Sequence, residues 1–520
     1  MKLNGKKMRY AITVCMMLLL MLLCSVTASA KTYNRTVKAK KGSDITSVLQ
    51  KELNRAAGKK GNVYNITISP GSYKINGTLK IYSNTNLYMD GVTLKRVKKG
   101  TVMLRLGGNS SYKGYKQAKN ITVNGGTWDG AGKTGDLMRF GHGQNIAFNN
   151  VTLTNVREAH HIEIAACRDV VFSGCTFSDY KGKKKSNHVE ALQIDIMRKE
   201  HFNYYPAYDE TPCVNVTVTG CTFRNLQSGA GTHSAVLGSY HKNIQIVNNT
   251  FEKIHGYAVI GMNYVDSKIN NNVMENCGFG IEFRSLSTTQ SSVYTPKKGK
   301  MKPVTNVNSE IIGNKMTIVQ TGYKYRISAI KLYGKKLSKK SGKIPAGNYR
   351  ISGMTIQDNE IVQKCKGVAV ILEGVDNSTV VNNTVTCEFA GAGYNMGEDG
   401  GSAIRLDSCS QNTVGGNTVV NIAASNGGKM SGICIYKSSS DNTVEGNRVE
   451  NAGQDGIVIK SSDNIVLNRN TVTGSGRYGV FAANASTVRA SGNQVSGSGK
   501  YDVNVWGATV NGAKDASLFG

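Results

Sequence analysis

The stretch that decides the fold is 456–474: Gly456-Ile457-Val458-Ile459, then Asn464-Ile465-Val466-Leu467, then Asn470-Thr471-Val472-Thr473. Three short runs alternate apolar and polar residues, the two-residue period of a β-strand with one face turned inward. They are divided by Ser461-Ser462-Asp463 and Asn468-Arg469, turn chemistry with no room for a helix. A single such unit cannot bury its apolar face, so it needs copies of itself above and below.

The copies are present. The triplet Asn-x-apolar recurs as Asn249-Thr250-Phe251, Asn272-Val273-Met274, Asn314-Lys315-Met316, Asn359-Glu360-Ile361 and Asn383-Thr384-Val385. It continues through Asn417-Thr418-Val419, Asn447-Arg448-Val449, Asn470-Thr471-Val472 and Asn493-Gln494-Val495. Two earlier copies carry cysteine in the asparagine position, Cys175-Thr176-Phe177 and Cys221-Thr222-Phe223. The shortest spacing is 23 residues, and the longer intervals are insertions. Three strands per turn, each pairing with its equivalent one coil away, make an all-β parallel solenoid. The asparagine is expected at the sharp turn between strands, tolerating left-handed φ and bonding its stacked copies in a ladder. The two cysteines read as small buried fillers of that column.

Composition agrees. Of 520 residues 59 are glycine and only 6 proline, which excludes collagen and proline-rich disorder and suits a turn-dense β protein. Residues 1–30 read as a secretory signal peptide: Lys2, Lys6, Lys7 and Arg9 precede the apolar run 11–23, and Ala28-Ser29-Ala30 forms an A-x-A site. No later run reaches membrane length, so an exported chain without a transmembrane segment is expected, extracellular or held at the cell surface. Cys15 and Cys24 fall in the signal, leaving nine cysteines, an odd number that argues against a disulfide scaffold. The expected division is signal 1–30, cap and first coils 31–100, solenoid 101–510 and tail 511–520.

The charge is uneven. The chain carries +30 overall, yet from 351 onward there are 12 Lys/Arg against 15 Asp/Glu, so the surplus sits before residue 351. Such a field attracts polyanions. For an exported protein the expected partner is an acidic polysaccharide and not nucleic acid, met by a monomer.

Ahead of the repeats, 44–57 reads as an amphipathic helix, followed by Ser69-Pro70-Gly71-Ser72-Tyr73 and Gly125-Gly126-Thr127-Trp128-Asp129-Gly130. Here the sequence resembles the right-handed parallel β-helix proteins of the pectin-lyase-like superfamily, which includes pectate lyases and polygalacturonases. The helix is similar to their N-terminal cap, P-G-x-Y to their first coil, and G-G-T-W-D-G to the polygalacturonase G-G-x-x-D-G. The resemblance spans roughly residues 40–510 and implies a fold more than a reaction, because this architecture hosts lyases, hydrolases, epimerases and adhesins.

One strand per coil can be read as columns: His161-Ile162-Glu163-Ile164-Ala165, Ala191-Leu192-Gln193-Ile194-Asp195, Ala235-Val236-Leu237-Gly238-Ser239, Ala258-Val259-Ile260-Gly261-Met262, Gly280-Ile281-Glu282-Phe283-Arg284 and Ala329-Ile330-Lys331-Leu332-Tyr333. Their second and fourth members point inward, so the odd members form one outward polar strip. All eight histidines fall between His142 and His255. A lone histidine is more often a surface or core residue than a catalyst, but this confinement points to acid/base chemistry. The catalytic candidates are His161, Glu163, His188, Glu190, Asp195 and His233. The substrate-binding candidates are Gln193, His241, Glu282, Arg284, Lys331 and Tyr333. Loops around the strip are rich in lysine (Lys181, Lys183, Lys184, Lys185; Lys297, Lys298, Lys300, Lys302; Lys335, Lys336, Lys339, Lys340, Lys343), with Tyr204, Tyr205, Tyr208, Tyr294, Tyr323 and Tyr325 interleaved.

Three functions fit. β-Elimination on a uronate polymer needs a cation on the carboxylate, a base for the C5 proton and an acid for the leaving oxygen; the base would be His161 or His233, with Lys331 as alternative. By resemblance to lyases, Glu163, Glu190 and Asp195 are candidates to hold Ca²⁺. Glycoside hydrolysis needs two carboxyl groups, and Glu163 or Glu190 with Asp195 suits the spacing. The polygalacturonase series N-x-D, D-D, G-H-G, R-x-K is missing from these strands, with Gly141-His142-Gly143 lying before them, so no polygalacturonase role transfers. The third function is a non-catalytic polysaccharide-binding surface protein or adhesin, for which the plain coils 408–510 would be a stalk. Epimerization shares the first step of elimination.

Overall fold

The computed structural model describes residues 31–59, 61–108, 112–182, 189–203, 205, 207–286, 293–297, 303–321, 327–388, 401–420, 430–484 and 487–511. The chain winds into a right-handed parallel β-helix, with long parallel sheets running its length. One 15-stranded sheet runs from Leu79–Ile81 to Tyr501–Trp506, a second from Gly71–Ile75 to Gln494–Ser496, and an 18-stranded sheet from Thr32–Val37 onward. The predicted cap is the helix Thr46–Leu53, extended by a 3-10 turn at Asn54–Ala56, with Leu49 and Leu53 fully buried on the first coils. No helix among the described residues is long and apolar enough to cross a membrane.

The main core is an apolar column from Val37 to Val510, and a smaller separate cluster forms around Leu237, Met262 and Val293. Equivalent side chains stack coil on coil: Phe177 on Phe223 at 4.6 Å and Phe223 on Phe251 at 4.7 Å between ring centroids. The register that stacks them is fixed because a one-residue slip would turn each inward row outward.

The asparagine ladder is complete from Asn249 to Asn493. Each side-chain amide donates to the next asparagine's Oδ1 at 2.8–3.0 Å. Cys221 heads the column, its backbone N–H donating to Asn249 Oδ1 at 2.9 Å, and Cys175 lies before it. One expectation is corrected: the left-handed residue is not the ladder asparagine but the one before it, Asn248, Asn271, Gly313, Asp358, Asn382, Gly416, Gly446, Arg469 and Gly492. The turn thus divides its labour between a residue that bends the backbone and a residue that ties the bend to the next coil. All nine described cysteines are free and buried.

Candidate functional site

The site lies on the first-named 15-stranded sheet. Its central strands pair as predicted, with Glu163 opposite Gln193 and Ala165 opposite Asp195. The next coil differs. Ala235–Val236 leaves this sheet to pair with Val293–Tyr294, and Ser228–Gly231 takes its place, with Gln193 opposite Gly231. Glycine and small residues there replace the bulky apolar pattern that betrays a strand. Beyond it the predicted columns resume, through Ile260 to Glu282 and then Lys331.

The strip faces outward yet is roofed. Glu163, Glu190, Gln193, Asp195, Glu282 and Arg284 are each at most 3% exposed. Phe202 and Tyr205 supply part of the roof, crowding the place a side chain would occupy at Gly141. Tyr205 fastens it by accepting the Leu106 N–H at 3.1 Å and donating to the Arg139 carbonyl at 3.2 Å.

At its centre Nδ1 of His233 stands 2.8 Å from Oε2 of Glu190. Burial disfavours the imidazolium, but the charge of Glu190 and the hydrogen bond to it outweigh burial and raise the His233 pKa above 6.5. Asp195 accepts from the Ile196 N–H at 2.7 Å, from Gln193 Nε2 at 2.9 Å and from the Ser234 hydroxyl. Glu163 is pushed well above the usual carboxyl range by burial, against the pull of Arg139, whose Nε lies 2.8 Å away. Arg139 also meets Asp136 at 2.7 Å. Arg284 sits 3.3 Å from Glu282, while its Nε and Nη2 are buried with no hydrogen-bond partner among the described residues. Lys331 and Tyr333 lie in the same columns, with Lys331 3.8 Å from Glu373.

Two candidates move away. His161 is in the interior, its Nε2 donating to the Ser178 carbonyl at 2.7 Å and its ring against Phe177; burial lowers its pKa to about 4. His241 is equally buried, its Nδ1 accepting the Cys213 N–H at 3.0 Å, and its pKa also falls to about 4 through burial. Neither can reach a ligand on the strip. His161 stands at a bend just before its strand, whereas His241 opens the strand His241–Val247 of a different sheet. His188, Lys183, Lys184, Lys185, Lys298, Lys300, Lys302, Tyr204, Tyr323 and Tyr325 lie outside the described residues. The three carboxylates proposed for Ca²⁺ point at separate donors, and no group of metal-type ligands is found among the described residues. They do not fit a shared cation, and no step below uses one.

The structure adds residues. Tyr294 receives or gives a hydrogen bond at 2.7 Å from His201 Nε2, and the His201 ring lies 5.9 Å from that of His233. Arg198 stacks over Tyr294 at 4.2 Å. Burial lowers the His201 pKa and raises that of Tyr294, so the pair is a neutral imidazole beside a protonated phenol. His233, His201 and Tyr294 thus follow one another in contact, and His233 also lies within the field of Arg284.

This is a right-handed parallel β-helix, and residues 344–512 match the family model described as a right handed beta helix region. A curated relative, the plasmin and fibronectin-binding protein A of Streptococcus pneumoniae, is 22% identical over 289 residues, 48% of this chain and 40% of that protein. The chain thus accounts for less than half of that relative's length. The crystal structure of PfbA, a surface adhesin of Streptococcus pneumoniae, is similar at 19% identity with a TM-score of 0.49, covering 81% of this chain and 94% of that one. A Family 28 exopolygalacturonase of Yersinia enterocolitica is similar at 12% identity with a TM-score of 0.46, covering 74% and 78%.

Proposed function

We propose that the chain is an exported monomeric enzyme that cleaves an acidic, uronate-containing polysaccharide by β-elimination. The observation that carries this reading is the Glu190–His233 pair facing the His201–Tyr294 pair, with Arg284 buried nearby. With Nδ1 held by Glu190, Nε2 of His233 takes the C5 proton. The C5–H electrons form the C4–C5 double bond, and the C4–O bond breaks toward the leaving oxygen. That oxygen takes the phenolic proton of Tyr294, which His201 orients. Arg284 neutralises the uronate carboxylate, where charge builds as C5 loses its proton.

Glycoside hydrolysis is the second reading, favoured by the contrast between Glu163, raised toward the protonated acid, and Asp195, fixed by three donors. A binding role without turnover is the third, in keeping with the name of the Streptococcus pneumoniae relative.

The test is to incubate the protein with a panel of acidic polysaccharides while following new reducing ends and the ultraviolet absorbance of unsaturated uronate. Both signals together, lost in His233→Ala, are expected. Reducing ends alone mean hydrolysis, and silence with retained binding means an adhesin-like solenoid.

A further inference from the structure

A cavity of about 700 Å³ lies at the N-terminal end, between the end of the capping helix and the segment 112–119. Its volume is in the range of small-molecule sites. Tyr82, Tyr112 and Tyr115 line it together with Lys59, Lys116 and Lys119, and no acidic residue among the described residues does. Aromatic faces beside cations and without carboxylates suit a ring-shaped ligand bearing negative charge.

The walls are held in place. Tyr82 lies flat on Gly107, where a Cβ would fall 2.4 Å from the ring, so only glycine lets it seat there. Tyr115 donates to the Pro212 carbonyl at 3.1 Å and is backed by the Arg168 guanidinium at 5.0 Å. Arg168 is in turn tied to Gln144 at 2.8 Å. Gln117, 6% exposed, gives its amide N–H to the Gly107 carbonyl at 2.9 Å, which fixes its orientation. Its Oε1 is left buried with no partner among the described residues. An orphan acceptor asks for a donor, which a sulfate ion lacks and a sugar hydroxyl supplies.

The cavity is distinct from the catalytic strip. Gly107, Gly141, Ala165 and Asp195 follow one another along a single column, so Asp195 is three coils away, about 14 Å. Phe202 and Tyr205 lie over Gly141 between them.

We propose that this cavity is a second saccharide site, taking a segment of an acidic oligosaccharide. Its rings lie against the tyrosines, a hydroxyl reaches Gln117, and its carboxylates meet the lysines. This rests on the acidic-saccharide part of the reading above but not on catalysis by the strip.

The experiment is calorimetric titration of the full chain with short oligogalacturonate, short oligoalginate and, as an uncharged control, short cello-oligosaccharide. It is run on wild type, Tyr112→Ala/Lys116→Ala and Glu190→Gln. Tyr112 is exposed and Lys116 flanks it, and thermal unfolding of each variant checks that the fold is kept. The expected result is a site for at least one acidic probe that survives in Glu190→Gln and weakens on the order of tenfold in the double variant. Turnover of short substrates stays unchanged in that variant. Acidic binding that is equal in wild type and the double variant overturns the proposal even if the strip is catalytic. No acidic binding at all, or equal affinity for the uncharged probe, also overturns it. Loss of binding in the double variant, in a protein that turns over nothing, keeps this site and removes the enzymatic reading.

Discussion

Glu190 and His233 come from successive coils and meet at 2.8 Å across the strand-to-strand step, a carboxylate and an imidazole held together in a roofed groove. Burial alone would strip the ring of its proton below 6.5, whereas Glu190 reverses that sign. Because the folded pKa is raised, the pair's contribution to stability is full below 6.5 and is lost as pH rises through the folded value.

The same shift sets the activity profile. A base must be neutral, so the acid limb of kcat/KM should lie above pH 6.5 in the wild type. Glu190→Gln removes the charge that raises the pKa, leaving burial in control, and the limb should move down, below 6.5. His233→Ala should lower kcat by roughly 10²–10⁴-fold. A pH–rate series on all three proteins checks this; an unmoved limb in Glu190→Gln removes His233 from the base role.

Arg284 offers two buried nitrogens that no described residue satisfies. If they receive a uronate carboxylate, Arg284→Lys should lose the paired geometry and cost about 2–3 kcal/mol in kcat/KM, a loss of 30-fold or more. The loss should shrink on a methyl-esterified substrate, whose carboxyl is neutral. Equal losses on acid and ester would show that Arg284 only supports the strand.

The fold was legible because it is written many times over: an error in one coil is corrected by its neighbours. The columns through Glu163, Gln193, Glu282 and Lys331 follow from the same redundancy. Legibility failed where the repeat failed. Ser228-Gly229-Ala230-Gly231 has no apolar alternation, so the more strand-like Ala235-Val236 took its column. Arg139 was within reach, since Met138-Arg139-Phe140 carries the pattern and aligns with Ile162-Glu163-Ile164. His201 and Tyr294 were not, because they are 93 residues apart on inserted segments and meet only through the roof. The direction of His161 also escaped, since a turn residue obeys neither strand face.

His161 and His241 give a stability prediction of opposite sign to that of His233. Both stay neutral in the fold down to about pH 4, while the unfolded chain protonates near 6.5. Their contribution is present above 6.5 and is lost as pH falls from there toward 4, by about 3 kcal/mol each at most. Chemical denaturation at pH 7 and pH 4.5 should show His161→Gln losing less stability on acidification than the wild type. Parallel losses would mean that other groups carry the acid sensitivity.

The ladder allows the sharpest test of the solenoid itself. Asn314, fully buried, gives its side-chain amide to the Ile269 carbonyl at 2.8 Å and to Asn359 Oδ1 at 2.9 Å. Its own Oδ1 takes the backbone and side-chain N–H groups of Asn272, both at 3.0 Å. Asn314→Ala strands donors and acceptors on two coils at once and should cost on the order of 3 kcal/mol. Because each coil touches chiefly its neighbours, the damage should be local. Amide exchange should quicken around Asn272 and Asn359 while the coils at Asn447 and Asn470 keep their protection. Asn314→Cys should be milder, since Cys221 already fills this column by accepting the Cys175 N–H on its sulfur at 3.3 Å. Uniform loss of protection along the whole chain would show that the coils unfold as one cooperative body, not as a stack of separable turns.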